Sequence, residues 1–262
     1  MQIKTIIFDL DETLIEDRDA THSAFENACA FAYEYAQVDC ERLKGSAYRH
    51  ARRLWAEAPT YDYCREIGIS ASEGMWGRFE GDGSDLQALY EWAPVYQERL
   101  WEYALAEQGI EDESLVKQLA AIFRKERRRS YRVFADVEVA LSRLKQQYTL
   151  ALLTNGAPDL QREKIRASGL ESYFDAIVVS GEFGIGKPRP EVFSHVLEQV
   201  QGVPDETIMV GDSLPRDIVG AYRSGMRGIW LNRFGDDCID ACRPMIGAQI
   251  CLLDELDAVI SA

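Results

Sequence analysis

The stretch Ile6-Ile7-Phe8-Asp9-Leu10-Asp11-Glu12-Thr13-Leu14 decides how the chain is read. Three apolar residues run straight into Asp9, and one leucine separates Asp9 from Asp11. An apolar run of this kind reads as a buried strand. Buried charge is costly unless something compensates it. Two carboxylates at the end of such a strand therefore imply a cation or a reacting group beside them.

The same texture returns after about residue 132. The runs Tyr148 to Thr154, Phe174 to Ser180, Glu206 to Asp212, Arg227 to Asn232 and Ala248 to Asp254 read as strands, and Ile3 to Phe8 joins them. Helical patterns lie between, at about 158–169, 190–200 and 215–224. Strand–helix alternation with wholly apolar strands predicts an α/β fold, a Rossmann-like parallel sheet with helices on both faces. Residues 16–131 have almost no strand signal and read as an inserted all-helical domain; the core is then 1–15 plus 132–262. Leu86, Leu89, Tyr90, Ala93, Tyr96, Gln97, Leu100, Trp101, Ala104 and Leu105 make one long amphipathic pattern. Pro94 falls inside it and is expected to kink or divide the helix. The Gly-rich stretch from Gly68 to Asp85 reads as a long loop. The basic cluster from Arg124 to Arg132 reads as a solvated helix end, where cations suit the helix dipole.

Composition narrows the function. The chain has 262 residues, 47% of them hydrophobic, which is ample for a core. Its formal charge is 29 − 44 = −15, which repels nucleic acids and anionic membranes, so neither is expected as a partner. No apolar run approaches the roughly 20 residues that span a bilayer. The opening residues turn acidic too soon for a secretory signal, and a cytoplasmic protein is expected. The six cysteines are expected as free thiols. Cys238 and Cys242 lack the partners of a zinc site, and His22, His50 and His195 show no ligand spacing.

In an open parallel sheet, ligands bind beyond the carboxyl ends of the strands. Polar residues gather there: Asp9 and Asp11, then Thr154 and Asn155, then Lys187 before two prolines, then Asp212 and Ser213 with Asp217 following. Each signal is weak alone, but the ordered set is not. Asp9, Asp11 and Asp212 are hard oxygen donors suited to Mg²⁺. Lys187 is the local positive charge that an acidic protein needs to hold an anion.

These motifs resemble the haloacid dehalogenase-like hydrolase superfamily. "DLDET" is similar to its D-x-D-x-T motif, "LLTNG" to its strand-end Thr/Ser motif, "GKPRPEVF" to its Lys motif and "GDSLPRD" to its closing acid motif. The insert resembles the helical C1 cap. The run "TNGAPDLQREKIRASGLESYFDAIVVSGE" is similar to phosphatases of the N-acylneuraminate-9-phosphatase and pyrimidine nucleotidase type. "PTYDYCREIGIS" and "WGRFEGD" are similar to a bacillar group assigned as phosphoserine phosphatases. The resemblance implies a Mg²⁺-dependent phosphomonoesterase acting on a small phosphate ester such as phosphoserine, a sialic acid 9-phosphate or a nucleoside monophosphate. Asp9 would be the nucleophile that forms an aspartyl-phosphate. Asp11 would be the acid/base, binding Mg²⁺ through its backbone carbonyl and leaving its side chain free. Asp9, Asp11 and Asp212 would hold the metal, and Thr154, Asn155 and Lys187 the phosphoryl oxygens. Thr13, Ser213 and Asp217 would support them.

A phosphosugar mutase needs a cap that shields the aspartyl-phosphate from water, and that alternative stays open. A haloacid dehalogenase uses the Asp nucleophile without a metal and lacks the second acid, so Asp11 argues against it. In C1 proteins the cap chooses the leaving group. Tyr61, Tyr63, Arg65, Trp76, Arg78 and Phe79 are candidates, with Arg65 and Arg78 expected to read an anionic group. A monomer or homodimer is expected.

Overall fold

A computed structural model of the chain describes residues 2–129 and 131–261. The chain forms two compact units. One comprises residues 1–16, 132–157 and 161–262, the other 17–131 and 158–160.

The described part of the first unit is built on six strands: β1 (Thr5–Phe8), β2 (Thr149–Thr154), β3 (Ala176–Val179), β4 (Thr207–Gly211), β5 (Arg227–Leu231) and β6 (Ile246–Ile250). All pairings are parallel, in the order β3-β2-β1-β4-β5-β6. Alternation along each strand explains the unbroken apolar runs. Ile6, Phe8, Leu150, Leu152, Ile208 and Val210 pack on one face, and Ile7, Ala151, Leu153 and Met209 on the other. Both faces are covered, so the strand interiors are apolar and polar residues such as Thr5, Thr154 and Thr207 fall at the strand ends. The last strand ends earlier than its sequence suggests. Leu253 leaves the sheet in a 3₁₀ turn, Leu253–Glu255, and packs into the first cluster.

The helical unit contains α1 (Asp17–Ala36), α2 (Cys40–Trp55), α3 (Tyr61–Ile67), α4 (Ala71–Gly74), α5 (Ser84–Ala106) and α6 (Glu113–Arg127). Its interior is aromatic. Phe25 lies 4.4 Å from Tyr48, 4.7 Å from Phe123 and 5.7 Å from Trp101, ring centre to ring centre. Such pairs contribute about 0.5–1.5 kcal/mol each beyond area burial.

Three expectations need correction here. Pro94 does not divide α5, which runs unbroken through it. Pro94 and Tyr90 are exposed, so the Tyr90 carbonyl that loses its i+4 donor lies on a face open to water, while Ala93, Gln97 and Leu100 bury the opposite face. The stretch from Gly68 to Asp85 is not a plain loop. It contains α4, closed by a capping box between Ser70 and Glu73, and it buries Met75, Trp76 and Phe79. The basic cluster is not wholly solvated either. Arg127 is fully buried, donates to Asp17 and Thr21, and lies 4.6 Å over the Trp76 ring.

The remaining helices of the first unit are α7 (Val137–Leu144), α8 (Pro158–Ser168, its first three residues counted with the helical unit), α9 (Ser180–Phe183), α10 (Pro190–Gln199), α11 (Val219–Arg223) and α12 (Leu256–Ser261). Residues of α7, α8 and α12 pack in the first cluster, and those of α10 and α11 in the second. No helix of the described residues is long and apolar enough to cross a membrane.

Candidate active site

β1 lies centrally, with β2 on one side and β4 on the other. The chain reverses direction of progress across the sheet at this point, and the crevice that results is where parallel sheets bind ligands. Asp9 follows β1 directly. Its N–H still donates to the Val210 carbonyl of β4 (3.0 Å), which fixes the carboxylate at the strand end. The chain then turns sharply. Glu12 adopts φ +61°, a left-handed conformation that is strained for a residue with a Cβ and typical of functional loops. Thr13 is fully buried and ties this loop to β4, its hydroxyl accepting from Asp212 N–H at 3.1 Å. The Thr13 carbonyl accepts from the Arg233 Nε and Nη2, and Arg233 is itself paired with Asp136.

Asp217 sits in a π-helical turn, Leu214–Ile218, just after β4. Its Oδ2 accepts from Ser213 N–H (2.9 Å), so Ser213 contributes through its backbone. Gly211 makes this approach possible, because a Cβ there would lie 2.2 Å from Asp217 Oδ2. The carboxylates of Asp9, Asp212 and Asp217 consequently place one oxygen each within 4.8 Å of one another. Lys187 reaches into the group, with Nζ 2.5 Å from Asp9 Oδ1 and 2.8 Å from Asp217 Oδ1. Asp217, expected only as a support, thus lies within the same 4.8 Å group as the other two acids.

The electrostatics follow from the count. Three acids face one ammonium among the described residues, and all four side chains are largely withdrawn from water. Burial alone would lower Lys187, but Asp217 and then Asp9 outweigh it and hold Lys187 above its ordinary value, so it is a cation. Burial raises Asp9, with Asp217 adding to it and Lys187 only partly offsetting. Asp212 is pushed up to about 8 by burial, then by Asp9 and Asp217. The acids on their own thus favour keeping a proton, as expected where negative charge is in excess. Oxygen donors so arranged, with no thiol or imidazole among them, fit a hard divalent cation.

The phosphate-binding candidates are placed less uniformly. Thr154 ends β2 and is buried, its Oγ1 accepting from Gln161 Nε2 at 2.5 Å. The side chain of Asn155 is spent on the backbone of Lys187, accepting from its N–H (2.8 Å) and donating to its carbonyl (3.0 Å). It positions Lys187 and leaves one of its two amide N–H donors over. The Asp11 side chain, expected to stay off the metal, is held by Lys164 and Gln161 of α8. Both partners escaped the sequence reading, as did Arg233. Gln161 and Lys164 are one helical turn apart, directly after the strand-end Thr-Asn-Gly, and that spacing was the available signal. Arg65 and Arg78 belong to the helical unit. Their side chains are 68% and 62% exposed and approach Asp62 and Glu80 at 3.8 Å.

Comparison with known proteins identifies the family. The family model for haloacid dehalogenase-like hydrolases matches residues 3–225. A phosphoserine phosphatase of Thermus thermophilus is 38% identical over 88% of this chain and 89% of its own. The N-acylneuraminate-9-phosphatase of Rattus norvegicus is 28% identical over 89% and 84%. Among solved structures, the magnesium-bound putative HAD-hydrolase YfnB of Bacillus subtilis aligns over 100% of both chains with a TM-score of 0.67 at 22% identity, which speaks to the fold. A 2-haloacid dehalogenase of Pseudomonas syringae aligns over 99% of both with a TM-score of 0.61 at 27% identity. The chain belongs to the haloacid dehalogenase-like hydrolase family, and the two curated relatives named here, each spanning most of its length, are phosphatases.

Proposed function

We propose that this hydrolase is a Mg²⁺-dependent phosphomonoesterase that releases phosphate from a small phosphorylated metabolite through an aspartyl-phosphate on Asp9. The observation that carries the reading is the excess of buried carboxylate over ammonium at the ends of β1 and β4. Such an excess suits a protein that takes up a divalent cation. Asp9, Asp212 and the backbone of Asp11 would hold the ion, with Asp217 beside them. When bound, the ion offsets negative charge and polarises the phosphoryl group.

The chain's own residues perform the transfer. An Asp9 oxygen attacks phosphorus while the bond to the leaving oxygen breaks. Asp11 gives its proton to that oxygen, and the alcohol departs. Asp11, now a carboxylate, takes a proton from water, whose oxygen attacks the aspartyl-phosphate and returns Asp9 unchanged. Splitting one hard displacement into two lowers each barrier. Lys187 and the Thr154 hydroxyl hold the charge that spreads over the phosphoryl oxygens. Asp11 sets the chain apart from a dehalogenase, which needs no proton donor for its halide.

The first substrate to examine is phosphoserine, by similarity to the Thermus relative, followed by sialic acid 9-phosphate and nucleoside monophosphates. A panel of these esters with Mg²⁺, read by phosphate release, tests the reading. EDTA should abolish release and Mg²⁺ should restore it. Full activity in chelator, or isomerisation of a phosphosugar without phosphate release, would overturn it.

A further inference from the structure

Helix α8 carries a buried lysine that the scheme above does not use. Lys164 is 1% exposed, and its Nζ lies 3.0 Å from both carboxylate oxygens of Asp11. A buried ammonium is costly unless it is paired, and here the pairing is two-pronged. Gln161, one turn earlier and fully buried, points its amide the same way. Nε2 donates to Asp11 Oδ2 at 3.1 Å and to Thr154 Oγ1 at 2.5 Å. The amide presents its NH₂ end to Asp11, as it must in the half of the cycle in which Asp11 is a carboxylate. One helix face therefore grips two groups of the site at once. The helix is itself anchored by Arg162, which is paired with Glu182 of α9 at 2.7 Å.

We infer that Lys164 and Gln161 are positioning residues that fix the Asp11 carboxylate and the Thr154 hydroxyl in one relative orientation. The inference rests on Asp11 being the acid/base of the proposed reaction. The clamp has two consequences. Asp11 can swing about its own χ angles only by giving up three hydrogen bonds, so its reach toward the leaving oxygen is set by α8. Thr154 accepts from Gln161, so its own hydroxyl proton is left to donate, which is the polarity an anionic phosphoryl group requires. The open side of Asp11 remains, with its side chain 28% exposed.

Lys164→Met keeps the aliphatic stem and removes the ammonium, while Gln161→Leu removes only the amide. Both should be assayed on p-nitrophenyl phosphate, whose leaving group needs no proton, and on phenyl phosphate, whose leaving group does. Mispositioning a proton-transfer group costs up to about 100-fold, so Lys164→Met should lower kcat on phenyl phosphate by roughly 10- to 100-fold with KM little changed. With p-nitrophenyl phosphate the loss should be smaller. A burst of nitrophenolate should appear, because the water attack that Asp11 assists becomes the slow step. Gln161→Leu should show the same pattern more weakly. Wild-type kcat on both esters with a lowered melting temperature would make the clamp merely structural and overturn the inference. A raised KM at constant kcat would place Lys164 on the substrate and overturn it equally. Asp11→Asn separates the two levels. If that variant keeps full activity, the acid/base reading itself fails; if it is inactive while both α8 variants behave as wild type, only the clamp fails.

Discussion

Each unit of this protein buries a basic side chain against aspartate, and the two burials differ in kind. In the helical unit Arg127 meets Asp17 one to one, with the Thr21 hydroxyl and the Trp76 ring completing its surroundings. Charge there is balanced, and the pair joins the last residue of α6 to the first of α1. At the strand ends Lys187 meets two acids and a third lies within reach. That charge is unbalanced. A balanced buried pair needs no further cation, whether it holds two helices together, as Arg127 and Asp17 do, or positions a site group, as Lys164 does Asp11. An unbalanced one is stable only with a proton or a further cation, which is what a binding site is. The imbalance, rather than burial as such, marks where a cation would be taken up.

Removing one acid from each arrangement tests this most forcefully. Asp9→Asn deletes the nucleophile and should lower kcat at least ~10³-fold. The same change relieves part of the excess charge, and Asn resembles the neutral carboxyl that burial already favours. The melting temperature without metal should therefore hold or rise. Near-wild-type turnover would remove Asp9 from the role of nucleophile.

Asp17→Ala should do the reverse. It strands a guanidinium that is 1% exposed, and breaking a buried pair typically costs about 3–5 kcal/mol. Asp17 is itself 21% exposed, so the lower end applies. The variant should melt markedly lower while the folded fraction hydrolyses p-nitrophenyl phosphate much as wild type does. A stable but inactive Asp17→Ala would mean that this balanced pair also serves catalysis, and the distinction drawn between the units would break.

The same contrast explains what could be read in advance. Asp9, Asp212 and the strands behind them were legible because an apolar β-branched run that ends in an acid has few bland readings. Asp217 was legible as a neighbour, but its place beside Asp9 and Asp212 depends on Gly211 and a π turn that no periodicity announces. Lys164 and Gln161 look like ordinary polar residues of an amphipathic helix, and only burial distinguishes them. Arg127 was lost in a run of arginines. It does continue the apolar face of α6, following Val116, Ala120 and Phe123 at steps of three and four, so the spacing held a signal that composition masked.

Titration sharpens the comparison without any mutation of the nucleophile. Asp212 is raised from 3.8 to about 8 by burial and then by Asp9 and Asp217. The folded protein thus keeps this proton to a higher pH than the unfolded chain does. The associated stability is fully present below about pH 4 and is lost as pH rises toward about 8. The lowered carboxyls of Glu107, Glu113 and Glu191 act in the opposite sense but only in acid. Between about pH 5 and 8, then, the metal-free melting temperature should fall, and Asp212→Asn should flatten the slope. The rise in melting temperature on adding Mg²⁺ should grow over the same window, since the ion displaces the proton. Parallel slopes in wild type and Asp212→Asn would show that the excess charge is not felt.

The smallest effects are expected at Arg65 and Arg78, where charge is neither buried nor unbalanced. Each is mostly exposed and faces a nearby carboxylate, so replacing either by alanine should change stability by no more than about 0.5 kcal/mol. Activity can still tell them apart. Arg65 pairs with Asp62 inside α3, and its guanidinium lies 6.0 Å from the Tyr61 ring. Arg78 lines a cavity of about 620 Å³ in the helical unit, together with Gln97, Glu98 and Arg124. Arg124 donates to Gln97 Oε1 at 2.9 Å, so its charge is already oriented by a buried amide. If the helical unit reads an anionic group on the leaving alcohol, Arg78 is the better placed of the two. Arg78→Ala should then lower kcat/KM about tenfold, the worth of one charge-assisted hydrogen bond of ~1.5 kcal/mol, on a carboxylate-bearing ester such as phosphoserine. On p-nitrophenyl phosphate, which has no carboxylate, the loss should nearly vanish, and Arg65→Ala should leave both substrates unchanged. Equal losses on the two esters would mean that Arg78 acts on the fold or the phosphate. No loss on either would mean that the leaving group is read by other residues, and that exposed charge in this unit is as inert as its balance suggests.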